Sequence, residues 1–170
     1  MALHLKKLRE MQGRTVAIDE TYQSLSGAQG QAFSVQDSVR VHGQAVHRDR
    51  TIFIDLHIQA TAVQKCSRCL ADVISNLDVE EHLEFQPEES EGTNLLKREA
   101  FTYSLQETEL SLQPYVVGLI GGVLDLKPLC RSECKGLCPS CGQNLNVTEC
   151  DCATRREGDP RLRVLKELLK

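Results

Sequence analysis

A chain of 170 residues, 41% of them hydrophobic, is long enough to bury one core, or one core with a small metal-bound appendage, and too short for several domains. The formal net charge of −4 excludes a uniformly basic nucleic-acid binder, and no apolar run approaches the roughly 20 residues that span a bilayer. Aromatic residues make up only 4% and tryptophan is absent, so the core must rest on Val, Ile and Leu, with metal sites supplying part of the stability.

The first 22 residues have little periodicity, although TVAID at 15–19 reads as a short strand. Charges at Lys6, Lys7 and Arg9 interrupt any apolar run of signal-peptide length, which predicts a soluble, cytoplasmic protein. Residues 23–32, rich in Ser, Gly, Gln and Ala, read as a loop. Val39, Val41 and Ala45 then alternate, and Ile52, Ile54, Leu56, Ile58, Ala60 and Ala62 hold one face for a full strand. The polar turn 47–50 between them predicts an antiparallel hairpin. Val73, Leu77, Val79, Leu83 and Phe85 repeat the alternation, which places Cys66 and Cys69 at the tip joining two strands.

Residues 87–94 (PEESEGTN) read as an acidic loop, and Phe101, Tyr103 and Leu105 as one more strand. A helix is expected over about 111–126, with Ser111 as N-cap and Pro114 in its first turn. Gly118, Gly121 and Gly122 weaken it, so burial must support it. At the end, Asp159 caps and Pro160 starts a short amphipathic helix on which Leu162, Leu165, Leu168 and Leu169 share a face that packs on the sheet. The fold class is α+β. Residues 1–126 form an antiparallel β-sheet or partly open barrel with a buried helix; residues 127–170 form a cysteine-rich, zinc-bound segment and the terminal helix, packed on the same domain.

Eight cysteines carry the chemistry: Cys66, Cys69, Cys130, Cys134, Cys138, Cys141, Cys150 and Cys152. Two residues between cysteines let the backbone aim both sulfurs at one ion about 2.3 Å away. In CPSCG, Pro139 stiffens the turn and Gly142 lets the chain double back. A disulfide framework would need an oxidising compartment, and an iron–sulfur cluster is a further alternative, but ligand type and spacing favour two Zn2+ sites. Cys138, Cys141, Cys150 and Cys152 form a local C-x2-C-x8-C-x-C set. Cys66 and Cys69 then take Cys130 and Cys134, stapling the middle of the chain to its C-terminal part.

Each tetrathiolate zinc carries a formal charge of −2, and Lys65, Arg68, Arg131 and Lys135 are interleaved with the ligands, either to compensate that charge or to contact phosphate. Charge is also segregated. Residues 78–109 hold ten acidic and two basic side chains, and residues 126–170 hold nine basic and six acidic, so an anionic partner should prefer the metal-bearing end.

The motifs CSRCL at 66–70, LKPLCRSECKGLCPSCGQNLN at 126–146, CDC at 150–152 and DPRL at 159–162 resemble the cysteine-rich form of the bacterial YceD family of large ribosomal RNA accumulation proteins, also found in plastids. The resemblance implies support for accumulation, processing or assembly of 23S rRNA and the large subunit, through binding of the precursor. Arg68, Arg131, Lys135, Arg155, Arg156, Arg161 and Arg163 are the candidate phosphate contacts. The alternative is a zinc-stabilised adaptor that docks on a ribosomal protein or rRNA maturation enzyme, its acidic stretch attracting a basic partner. Neither membrane nor small-molecule substrate is implied. Catalysis is not expected, since neither zinc set leaves an open coordination position and His4, His42, His47, His57 and His82 form no recognisable spacing with a nucleophile.

Overall fold

The computed structural model describes residues 2–11, 13–23, 25, 33–88 and 101–152. The chain divides into two compact units, Met1–Gln64 with Val73–Leu126, and Lys65–Asp72 with Lys127–Lys170.

In the first unit β2 (Thr15–Tyr22), β3 (Phe33–Arg48), β4 (Thr51–Lys65), β5 (Asp72–Pro87) and β6 (Phe101–Tyr103) form one sheet in that order. Strand β4 is its spine. All six apolar residues of its periodic face are at most 8% exposed, whereas Asp55, His57, Gln59 and Thr61 alternate on the other face. Each buried Ile or Leu there contributes roughly 1.5–3 kcal/mol of transfer free energy. The β3–β4 hairpin closes through Asp49 and Arg50, whose φ values of 47° and 68° give the turn a twist that matches the flanking strands. The Tyr103 hydroxyl donates to the Arg50 carbonyl at 2.8 Å and holds this turn.

Farther along β3, Gln36 pairs with Thr61 but Arg40 pairs with Gln59, so three residues of β3 face one of β4. The bulge, with Asp37 at φ 64°, inserts two residues; an even insertion keeps Phe33, Val39 and Val41 on the buried face. The side-chain pairs Thr61–Asn76, Gln59–Asp78 and Asp55–His82 descend β4 as they ascend β5, as an antiparallel pair requires.

Several expectations are corrected. The sheet is not closed into a barrel: β2 and β6 are its two edges, and among the described residues they do not pair. Nor is it wholly antiparallel, since β6 runs parallel to β5 with Phe85 opposite Phe101. That register stacks Phe85, Phe101 and Tyr115 with ring centroids 4.8–5.3 Å apart. Leu105 lies beyond the strand and is exposed.

The helix α2 runs Gln113–Val123, inside the expected 111–126. Ser111 does not cap it, because Ser111 belongs to β7 (Glu109–Ser111) and pairs with Ala2 of β1 (Ala2–His4). Leu112 takes the cap position and its carbonyl accepts the Val116 N–H at 3.0 Å. Val116, Val117 and Ile120 are buried, and extended backbone at Leu124 ends the helix. Strand β1 and helix α1 (Leu5–Glu10) are not legible from periodicity: Leu3, Leu5 and Leu8 are all buried, but their spacing changes from two to three where strand passes into helix.

Most of the 23–32 loop, the 89–94 part of the acidic loop and the terminal helix at 159–170 lie outside the described residues. Among the described residues no helix is long and apolar enough to cross a membrane.

Candidate metal centre

The second unit is built on two short passages of chain that meet at cysteine. Between β4 and β5 the chain turns back within residues 66–71. The Cys66 N–H donates to the Ala71 carbonyl at 2.8 Å, the Leu70 N–H returns to the Cys66 carbonyl at 3.0 Å, and Leu70 takes φ 60° to complete the turn. Lys65 and Asp72 pair at 2.5 Å across its base. The Ser67 backbone N–H donates to the Pro128 carbonyl at 2.8 Å, and the Arg68 guanidinium donates to the Cys134 carbonyl at 2.9 Å. These bonds hold residues 127–134 against the turn.

The result is one cluster of Cys66, Cys69, Cys130 and Cys134 whose sulfurs all lie within 4.8 Å of one another. Cys66 and Cys134 are 3.8 Å apart at Sγ, and Cys69 and Cys130 are 3.5 Å apart. A tetrahedron of sulfurs around an ion at about 2.3 Å has edges of about 3.8 Å. A disulfide would need sulfurs about 2.05 Å apart, and all eight cysteines are free thiols.

Cys138, Cys141, Cys150 and Cys152 form the second cluster, again within 4.8 Å. Here Gly142, at φ 73°, turns the chain so that its N–H donates to the Cys138 carbonyl at 2.8 Å, and the Ser140 N–H points at the Cys138 sulfur at 3.5 Å. The partition is the one the spacing implies. The first set is buried except at Cys130; in the second only Cys138 is buried. Each cluster can hold one metal ion.

Thiol acidity points the same way. Burial pushes Cys66 up, but backbone N–H donors of Arg68, Cys130 and Cys69 outweigh it and bring it down to about 6. Backbone donors from Cys141 and Ser140 bring Cys138 down to about 6. Cys130 is pushed up to about 12, first by Cys69 and then by burial, and Cys152 to about 12, first by Cys141. Donors favour thiolate at Cys66 and Cys134 in the first set and at Cys138 in the second, while Cys69 and Cys130, and Cys150 and Cys152, are pushed up and resist further negative charge. A divalent cation at the centre relieves that conflict.

The cations interleaved with the ligands have internal partners. Arg68 is spent on Cys134, Arg131 donates to the Asn146 side chain at 3.3 Å, and Lys135 lies 3.8 Å from Glu149. Arg155, Arg156, Arg161 and Arg163 lie outside the described residues. Asn146 is the last residue of the 126–146 motif, but ligand spacing gives it no role. Its amide N–H donates to the Cys134 sulfur at 3.4 Å, while its carbonyl accepts the Lys135 backbone N–H at 2.8 Å. Ligand spacing reports only ligands, and a thiolate's hydrogen-bond partner can come from any nearby amide.

The first unit carries a separate feature. A concave face of the sheet encloses about 970 Å³ and is lined by His42, His57 and His82 with Asp19, Asp55, Glu80 and Glu81, against one guanidinium, Arg40. The histidines are tied into the sheet: His42 to His57 at 2.9 Å, His57 to Asp78, and His82 to Asp55 at 2.6 Å.

Residues 54–169 match the family described as large ribosomal RNA subunit accumulation protein YceD, a span that contains both cysteine sets. An uncharacterised protein of Mycobacterium leprae is 30% identical over 90 residues, which are 53% of this chain and 41% of that protein. An uncharacterised protein of Mycobacterium tuberculosis is 30% identical over 85 residues, 50% of this chain and 41% of its own. The chloroplastic large ribosomal RNA subunit accumulation protein YCED homolog 1 of Arabidopsis thaliana is 37% identical over 51 residues, 30% of this chain and 16% of that protein. This chain therefore spans about two-fifths of the mycobacterial relatives, at 41%, and less of the plant one. No solved structure matches it.

Proposed function

Because the chain belongs to the YceD family, we propose that it is a non-enzymatic factor supporting accumulation, processing or assembly of 23S rRNA and the large ribosomal subunit. It binds precursor rRNA through its positively charged C-terminal part. The observation that carries this reading is the family match over residues 54–169, joined to the two cysteine clusters within it.

Zinc is the resident ion of both clusters. Four thiolates in a tetrahedron suit Zn2+, and sulfurs that all lie within 4.8 Å of one another in each set leave room for one ion but not for the inorganic sulfides of a cluster. Four protein ligands close each site, so the metal organises the chain and activates no water. Elemental analysis of protein purified under reducing conditions should give two zinc ions per chain; one ion would mean that one of the sets is wrongly drawn.

Arg155, Arg156, Arg161 and Arg163 are the proposed phosphate contacts, favoured by the nine basic residues between 126 and 170 and by the internal engagement of Arg68, Arg131 and Lys135. Changing the four arginines to Glu should weaken binding to rRNA fragments and flatten its salt dependence by about 0.7 in log–log slope for each single-strand phosphate that the variant no longer neutralises. Full affinity and an unchanged slope in a variant that keeps its metal would place the RNA contacts elsewhere.

A second reading is favoured by the concave sheet face, where four carboxylates oppose one guanidinium. There the chain would be an adaptor docking a basic ribosomal protein or an rRNA maturation enzyme. Wild-type protein that joins assembling large subunits but has no affinity for naked rRNA at moderate salt would select it.

A further inference from the structure

We propose that the two cysteine clusters load metal cooperatively, and that Asn146 carries the coupling between them. This rests on the clusters as metal sites and is independent of whether the chain binds RNA.

Asn146 belongs to the loop that separates Cys141 from Cys150, so closing the second set at those two ligands restricts where it can sit. Yet its side chain serves the first set: the amide N–H donates to Cys134 Sγ at 3.4 Å. Two further bonds fix the direction of that amide. Its carbonyl oxygen accepts the Lys135 backbone N–H at 2.8 Å, and its NH2 also donates to Asn144 Oδ1 at 2.8 Å.

The path between the sets is continuous hydrogen-bonded backbone. The Leu137 N–H donates to the Arg68 carbonyl at 3.1 Å, the Leu145 N–H to the Gly136 carbonyl at 2.9 Å, and the Cys138 N–H to the Gln143 carbonyl at 2.8 Å. Residues 136–146 thus form a small closed frame with a ligand of the first set at one side and ligands of the second at the other.

An ion in the second set removes the freedom of this loop and presents the Asn146 donor to Cys134, lowering the entropy that the first ion must spend on ordering it. The converse follows by linkage: a metal-bound Cys134 thiolate holds Asn146, which holds the loop in the shape that the second set needs. Repulsion between two centres of formal charge −2 opposes this. The Arg131 guanidinium, which donates to Asn146 Oδ1 at 3.3 Å and to its backbone carbonyl at 3.4 Å, brings a compensating charge to the same residue.

The test uses the full chain loaded with 113Cd, which should give one resonance for each set. A Cys150→Ser/Cys152→Ser variant assigns the signals, leaving the first set's four ligands intact. Chelator competition then reads the affinity of the first set in wild type, in this double variant, in Asn146→Ala and in the combination. The double variant and Asn146→Ala should each weaken the first set by about 10–100-fold, the usual effect of losing a partner that orients a ligand. The combination should be little worse than either alone, because both break the same link. Losses that multiply in the combination, or an unchanged affinity in the double variant, overturn the proposal. Should the double variant lose the first set's resonance altogether, Asn146→Ala decides the question with all eight ligands present. Its two resonances should then disappear in separate steps of the titration where those of wild type vanish together, and a concerted loss in the variant overturns the proposal.

Discussion

Cys66→Ser is expected to unfold the second unit under conditions in which Cys150→Ser leaves most of it folded. Structural zinc supplies roughly 10–16 kcal/mol of apparent binding free energy in small metal-dependent folds, so losing either site is costly. The sites differ in what they join. The first closes a loop of 61 positions from Cys69 to Cys130, and ties together the two stretches of chain, Lys65–Asp72 and Lys127–Lys170, that make up the unit. The second closes only the few residues between Cys141 and Cys150. A roughly sevenfold longer loop carries about 1.7 kcal/mol more closure entropy, so the unfolded chain gains more freedom when the first site is broken. Burial adds to the difference: Cys66 is fully buried, and an unliganded serine hydroxyl there loses the metal without gaining water. Chelator-induced unfolding followed by amide NMR signals from residues 65–72 and 127–137 measures both variants. Equal losses, or a larger one for Cys150→Ser, would refute the assignment of the long-range role to the Cys66 set.

The same contrast between long-range and local shows what the sequence makes legible. Strand β4 is readable because its six apolar residues keep one period from Ile52 to Ala62 and all of them are buried. The cysteine clusters are readable because a metal imposes its geometry on spacing: once four cysteines close a local set, the remaining four have only one another. Ser111 misleads because a serine before a proline has the chemistry of an N-cap, whereas its backbone is already committed to Ala2, a partner 109 residues away by number in the chain. Tertiary pairing overrides local preference there. Strand β6 is legible but its direction is not, since alternation fixes which side chains face inward and says nothing about which way the strand runs. Asn146 is invisible for a further reason, because it acts on a ligand and is not one.

Gly43 is the remaining position where the structure adds a constraint that the alternation of β3 conceals, and substituting it should produce the largest loss in the first unit. It pairs with Ile18 of β2 on one side and Leu56 of β4 on the other, inside the sheet. A Cβ placed there would collide with the Asp55 carbonyl oxygen and press against the Leu56 Cα, both of them backbone atoms with no rotamer to yield. Relief requires β3 and β4 to part, breaking ladder hydrogen bonds beside Ile54, Leu56 and Ile58. Gly43→Ala should cost about 2–3 kcal/mol and Gly43→Val more, a large share of the roughly 5–15 kcal/mol that holds a typical domain together. The control is Gly118→Ala on α2, where a Cβ would meet nothing within 4 Å and the helical backbone favours alanine; that change should stabilise by about 1 kcal/mol. Urea unfolding of the three variants, followed by far-UV circular dichroism, orders them. Since alanine ordinarily improves on glycine in a strand by removing entropy from the unfolded chain, a neutral or stabilising Gly43→Ala would mean that the strands do not approach this closely and that the face of β3 between Val41 and Ala45 has room for a side chain.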